Sequence, residues 1–105
     1  MGNLKSKYAK ACDISKPTKG TVWERDNHHC IICGSPAAMP NAHYIPRSHG
    51  GLGIEQNIVT LCAECHRAYD QTTSRKWYRE RIRFYLKSKY PDWDESKLIY
   101  HKYNF

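Results

Sequence analysis

Two Cys-x-x-Cys pairs constrain this chain more than any other feature. Cys30-Ile31-Ile32-Cys33 and Cys62-Ala63-Glu64-Cys65 stand 28 residues apart, an arrangement that four-cysteine zinc sites use. Each pair turns tightly enough for both sulfurs to face one ion, and Gly34 stands where the chain must bend away. Disulfides and a redox pair are the competing readings, but a thioredoxin-like pair needs a βαβ setting that neither flank offers. Four thiolates leave no open coordination position, so such a zinc is structural and does no chemistry itself. Cys12 lies outside both pairs and reads as a free thiol. Structural zinc is worth about 10–16 kcal/mol in small peptides. A chain of 105 residues, with the thin core that length allows, gains from a staple of that size.

Charge speaks to partners. Lys and Arg number 17 against 10 Asp and Glu, a formal net charge of +7. Zinc with four thiolates carries −2, which brings the working charge nearer +5. Such a surplus favours phosphate-rich polymers or anionic surfaces, with plain solubility as the bland alternative. No apolar run reaches the ~18 residues of a spanning helix, and Met1–Lys7 is followed by no apolar stretch of the kind a secretory signal needs. The expectation is a soluble, cytoplasmic, single-domain protein with no membrane partner.

The chain divides into a basic arm at 1–14, a zinc-stapled core at 15–73 and a basic helical extension at 74–105. Ser15-Lys16-Pro17 marks a helix start, and that helix runs through Val22, Trp23 and Arg25 to about Asn27. A strand is expected through His43, Tyr44 and Ile45, closed by Pro46. The loop Arg47-Ser48-His49-Gly50-Gly51-Leu52-Gly53 reads as flexible, its glycines allowing close backbone approach to a ligand. Asn57–Leu61 is a second strand by its β-branched content, and a helix opens near Glu64 at the second knuckle. Beyond Thr72-Thr73-Ser74 a basic helix runs to about Tyr90, with Trp77 or Tyr78, Ile82 and Tyr85 as its apolar face. Asp92 with Glu95 fits a capping box for a last helix through Leu98 and Ile99.

The block from Cys30 to Asp70 resembles the HNH nuclease family. Its matching pieces are the first knuckle, then His43-Tyr44-Ile45-Pro46-Arg47-Ser48-His49-Gly50-Gly51, then Asn57-Ile58-Val59-Thr60-Leu61-Cys62-Ala63-Glu64-Cys65-His66. The letters of the family name fall on His43, Asn57 and His66, and the zinc-knuckled forms of bacteriophages and their hosts look most similar. The resemblance implies a small α+β fold of the ββα-metal type, a hairpin and helix clasping a divalent ion, here stapled by zinc and flanked by helices. It also implies a metal-dependent DNA endonuclease leaving 5′-phosphate and 3′-hydroxyl ends. Residue by residue, His43 resembles the general base, His66 a metal ligand and Asn57 a structural residue fastening loop to strand. Asp70, one helical turn beyond His66 and so on the same face, matches a second ligand position.

Neutral imidazole suits activation of water at working pH, and a hard divalent ion supplies Lewis-acid help at phosphorus. Mg²⁺ or Mn²⁺ is the expected ion. The family often carries a metal ligand immediately before the base, where this chain has Ala42. Asn41 is expected to be a poor substitute, its side chain pointing to the other face of the strand. The ion then rests on His66 and Asp70, with His43, substrate phosphate oxygens and water as the candidates to complete the shell. Duller readings stand beside these: His66 as an alternative zinc ligand, Asp70 as an ordinary exposed carboxylate. Arg47 reads as a phosphate clamp, and Arg75, Arg79 and Arg83 as part of a sequence-independent phosphate track or a solvated face.

Two rivals to the nuclease remain. One is a catalytically weak, zinc-stabilised DNA-binding module, favoured by Ala42. The other is a structural zinc module that binds protein. Short flanks without a recognition domain tilt the nuclease reading toward a packaging enzyme working beside a phage terminase, by family analogy.

Overall fold

The computed structural model describes residues 6–71 and 73–101. Residues 1–5 of the basic arm, Thr72, and 102–105 of the extension lie outside the described residues. Among the described residues, four α-helices and a two-stranded sheet make a small α+β fold: α1 (Lys7–Cys12), α2 (Lys16–Arg25), β1 (Ala38–His43), β2 (Ile58–Cys62), α3 (Ala63–Gln71) and α4 (Arg75–Lys89). Short 3₁₀ helices cover Arg47–His49 and Glu95–Leu98. Among the described residues no helix is long and apolar enough to cross a membrane.

Local chemistry sets the helix starts. The Ser6 hydroxyl accepts from the Ala9 amide at 3.1 Å, and Ser15 accepts from Thr18 at 3.2 Å with Pro17 in the first turn. Both caps satisfy amide donors that a helix N-terminus leaves open. The arm expected at 1–14 is therefore helical from Lys7.

The strands run antiparallel with Ala38 opposite Cys62, Met39 opposite Leu61, Ala42 opposite Val59 and His43 opposite Ile58. Between Met39 and Ala42 the first strand takes three steps while its partner takes two, a bulge holding Pro40 and Asn41. A bulge tolerates proline because the extra residue needs no ladder bond. This corrects the expected strand, which was to begin near His43; the observed strand ends there. Tyr44 adds one bond, its amide to the Asn57 carbonyl at 2.7 Å. Ile45 then turns away, because its amide donates to the Asn57 side chain instead of to a strand.

Helix α2 packs on both strands, and α3 packs on β2 and α4. All five residues of β2 are buried as a result. The core gathers Tyr44, Val59, Leu61, Tyr69, Ile82, Leu86 and Leu98. Of the two aromatics left open for the apolar face of α4, Tyr78 packs against this core. Trp77 is 49% exposed with the Arg81 guanidinium over its ring.

A polar hub ties the end of α2 and helix α4 to the sheet. Arg25 donates to the Glu55 and Ile58 carbonyls, each at 2.7 Å, and its Nε meets Asp26 at 2.7 Å. Asp26, with no exposed side-chain surface, also accepts from the Thr60 amide and the Tyr85 hydroxyl.

The glycine loop departs from its expected flexibility. The Gly50 carbonyl accepts from the Tyr100 amide at 2.7 Å, Leu52 donates to the Leu98 carbonyl at 2.8 Å, and Gly51 pairs with Ile99. A Cβ on Gly51 would lie 1.6 Å from the Ile45 carbonyl oxygen, and one on Gly53 would lie 2.0 Å from that of Asp13. The close approach these glycines allow is to the protein's own backbone. The C-terminal segment differs too. Asp94, not Asp92, caps it, accepting from the Ser96 amide at 2.9 Å, and the turn is 3₁₀. Glu95 is drawn instead to Arg83 and to the Tyr44 hydroxyl.

Candidate active site and metal centre

The four paired cysteines converge. One sulfur from each of Cys30, Cys33, Cys62 and Cys65 lies within 4.8 Å of the others. A tetrahedral ion with metal–sulfur bonds near 2.3 Å holds its sulfurs about 3.8 Å apart, and Cys33 Sγ and Cys62 Sγ already stand at 3.6 Å. Each knuckle is shaped by its backbone. Gly34 turns at φ +79° and donates its amide to the Cys30 carbonyl; the Cys65 amide points at Cys62 Sγ from 3.4 Å. The Ile31 amide bonds the Thr60 carbonyl and fastens the first knuckle to β2. No disulfide links these cysteines, so the residues present fit a thiolate-bound metal ion.

A second centre opens beside the hairpin. His43, His66, Asp70 and Arg47 line one open cavity of about 700 Å³, joined by Asp13, Lys19 and Asn41. His43 comes from the end of β1, and His66 and Asp70 come from α3. His66 directly follows Cys65, so the second knuckle that positions the sulfur also sets the angle at which His66 leaves the helix. His66 Nε2 and Asp70 Oδ2 lie 3.3 Å apart across one helical turn. A nitrogen and a carboxylate oxygen this close, at the rim of a polar cavity, suit a divalent ion. His66 is absent from the sulfur cluster, so the alternative reading of it as a zinc ligand loses its basis.

His43 is half-buried, and its Nε2 stands 2.8 Å from the Cys12 carbonyl oxygen. Burial lowers its pKa from the ordinary 6.5; the Cys12 carbonyl opposes that shift, while Arg47 and His66 add to it. The ring is thereby kept neutral, as an acceptor of protons must be.

Ala42 and Asn41 exchange the parts expected of them. Ala42 is wholly buried in the core, so a longer side chain there would enter the core rather than the cavity. Asn41 shares the face of His43, two residues on, and lines the cavity. Its Oδ1 is buried without a hydrogen-bond partner. The expectation that Asn41 points away from the site is corrected; strand alternation relative to His43 carries the signal that comparison with Ala42 obscured.

Asn57 lies outside the cavity, completely buried. Its Oδ1 accepts from the Ile45 amide at 2.8 Å, and its Nδ2 donates to the carbonyls of Ile45 at 3.2 Å and Leu52 at 2.8 Å. These bonds hold both ends of the loop carrying Arg47 against the start of β2, which pairs with the strand carrying His43.

The arginines separate into two groups. Arg47 stands at the cavity, its Nη1 on the Cys12 carbonyl at 3.0 Å and its Nη2 on Asp13 at 2.8 Å. Arg75, Arg79 and Arg83 lie on α4 and line no part of that cavity. Arg75 sits over the Tyr69 ring and Arg79 over Tyr44; Arg79 and Arg83 both reach Glu95, at 3.9 and 2.9 Å. Sequence reasoning passed over Asp13, Lys19 and the Cys12 carbonyl. The first two carry no motif, and the third is main chain, invisible to any residue pattern.

Comparison with known proteins agrees with this geometry. Residues 30–81 match the HNH endonuclease family, a stretch holding both knuckles, the hairpin and α3. Anaredoxin from Nostoc sp. strain PCC 7120 is 38% identical over 49 residues, which is 46% of this chain and 64% of that protein. The chain thus spans less than two thirds of this relative's length. On the match over the knuckles, hairpin and helix, residues 30–81 of this chain form an HNH endonuclease-family segment.

Proposed function

We propose that the chain is a metal-dependent endonuclease hydrolysing DNA phosphodiester bonds, with its active site in the cavity between β1 and α3. The observation that carries this reading is the convergence of His43, His66, Asp70 and Arg47 on one polar cavity. His43, neutral through burial, accepts a proton from a water aligned for attack on phosphorus. Arg47 meets a non-bridging phosphate oxygen and fixes the group in the cavity. His66 and Asp70 would hold Mg²⁺ or Mn²⁺. When bound, such an ion supplies Lewis-acid stabilisation of the charge at phosphorus and on the departing 3′ oxygen. Asn57 acts at a distance, by keeping the Arg47 loop on the start of β2, which pairs with the strand of His43.

Zinc is the metal this reading assigns to the four cysteines, because a closed four-sulfur site suits it and leaves it without an open position. Thiols free of disulfides suit the reducing cytoplasm. DNA is the partner, and the net charge of +7 favours it. Arg75, Arg79 and Arg83 would extend the contact along α4, with phosphate competing against Glu95 for the last two. A place beside phage packaging proteins rests on family likeness alone.

Ala42, buried and without a donor atom, favours a second reading: a DNA-binding module with weak catalysis. Nicking of supercoiled plasmid separates the two. The nuclease cuts only when Mg²⁺ or Mn²⁺ is added to zinc-loaded protein, and His43→Ala abolishes cutting. Salt-sensitive DNA binding without cutting under any divalent ion would leave only the module.

A further inference from the structure

The last residues of α1 lie outside the family-matched stretch 30–81, yet they touch two residues of the cavity. The Cys12 carbonyl oxygen accepts from His43 Nε2 at 2.8 Å and from Arg47 Nη1 at 3.0 Å. The Tyr8 hydroxyl donates to the Arg47 carbonyl. The Gly53 amide donates to the Ala11 carbonyl at 2.9 Å, and Gly53 leaves room for the main chain of Asp13. The Cys12 side chain is wholly buried. The end of α1 is thus locked to the glycine loop from three sides.

We propose that residues 8–13 are a working part of the nuclease site, with the Cys12 carbonyl as the positioning group for His43; this rests on the nuclease reading above. A carbonyl oxygen can only accept, so it fixes the proton of the neutral ring on Nε2 and leaves the lone pair on Nδ1. It also stops rotation of the ring about its side-chain bonds, so the base nitrogen keeps one direction when substrate arrives. The hydrogen bond further stabilises the imidazolium formed as His43 takes its proton. The same oxygen holds Arg47, so base and phosphate clamp share one fixed point. Here the orientation is supplied by the end of a helix outside the hairpin and α3.

Gly53→Ala tests this without substituting any cavity residue: the added Cβ collides with the Asp13 main chain and pushes the end of α1 away. Three readouts are taken on the full chain: nicking kinetics with Mg²⁺, zinc content, and the His43 Nε2 proton by NMR, identified by its loss in His43→Gln. The intact chain is expected to show a slowly exchanging Nε2 proton at neutral pH. In Gly53→Ala that signal disappears and kcat falls by about 10- to 100-fold, as small misplacements of catalytic groups do, while zinc content is unchanged. Tyr8→Phe, which removes one surface bond, carries the test if Gly53→Ala fails to fold; it weakens the signal and lowers kcat by a smaller factor. An intact chain that shows no such proton overturns the proposal, as does full kcat in a variant that has lost it. A chain that cuts no DNA overturns the nuclease reading and this proposal together, whereas full cutting with the signal gone overturns this proposal alone.

Discussion

Asn57 and Ile45 are joined by a closed pair of hydrogen bonds, the Ile45 amide into Asn57 Oδ1 at 2.8 Å and Asn57 Nδ2 onto the Ile45 carbonyl at 3.2 Å. With the third bond to Leu52, the carboxamide replaces the strand partner that Ile45 would otherwise need. Both residues are buried, so no water can substitute. Asn57→Ala strands the Ile45 amide and two carbonyls, each costing about 1–3 kcal/mol when unsatisfied. Urea unfolding of the zinc-loaded variant is expected to show a loss of about 3 kcal/mol. Asn57→Asp, which keeps the acceptor but loses the donor, should fall between the two.

The Arg25–Asp26 hub predicts a second large effect far from the cavity. Asp26 is the buried acceptor for Arg25, Thr60 and Tyr85 at once. Asp26→Asn leaves the Arg25 guanidinium without its charge partner in a side-chain environment only 11% exposed. Breaking a buried pair from one side costs about 3–5 kcal/mol. Thermal unfolding should show that loss, while plasmid nicking measured well below the lowered melting temperature should persist.

Metal removal predicts a folding effect separate from catalysis. With the four sulfurs gathered into one cluster, a metal ion held there would join the two knuckles, and its chelation would leave them unlinked. Loss of near-UV circular dichroism should follow EDTA treatment, and re-addition of Zn²⁺ should restore it. Cys62→Ser should behave as the chelated protein does, because Cys62 ends β2 as well as binding the ion.

How far the sequence reveals this molecule depends on which interaction placed each residue. The cysteine pairs, β2, α3 and α4 are legible because spacing and periodicity encode them locally. The register of β1 is not, since the bulge at Pro40 and Asn41 is decided by pairing with β2. Gly51 and Gly53 signalled close approach correctly but not to what: Ile45 and Asp13 approach from elsewhere in the chain. His43, His66 and Asp70 could be nominated from motif order, and the cavity now gathers them. The Cys12 carbonyl and Asp13 could not be nominated, because tertiary docking of α1 brings them there and no side-chain pattern records it. Glu95, read as a cap, serves as a latch because Arg83 lies opposite it only in the folded chain.

The pH dependence follows from His43. Its pKa in the folded chain lies below 6.5, chiefly through burial. The acid limb of kcat/KM for nicking should therefore lie below 6.5, and activity should persist where an exposed histidine base would already be protonated. Stability has a matching sign. Below 6.5 the unfolded chain binds a proton at His43 that the folded chain refuses, so this contribution is full above 6.5 and is lost as pH falls toward the folded value. Comparing the pH dependence of urea unfolding between the wild type and His43→Gln isolates it.

The proposed nuclease function requires two metal centres with different work, a closed one of four sulfurs and an open one at His66 and Asp70. The direct measurement is the nicking rate of zinc-loaded protein as Mg²⁺ is titrated in, with zinc content checked at each point, beside His66→Ala and Asp70→Ala. The rate should rise from nothing and saturate at constant zinc content, and both variants should retain zinc while losing about 10²-fold or more in rate. Cutting that proceeds without added Mg²⁺, or that survives both substitutions, would contradict it.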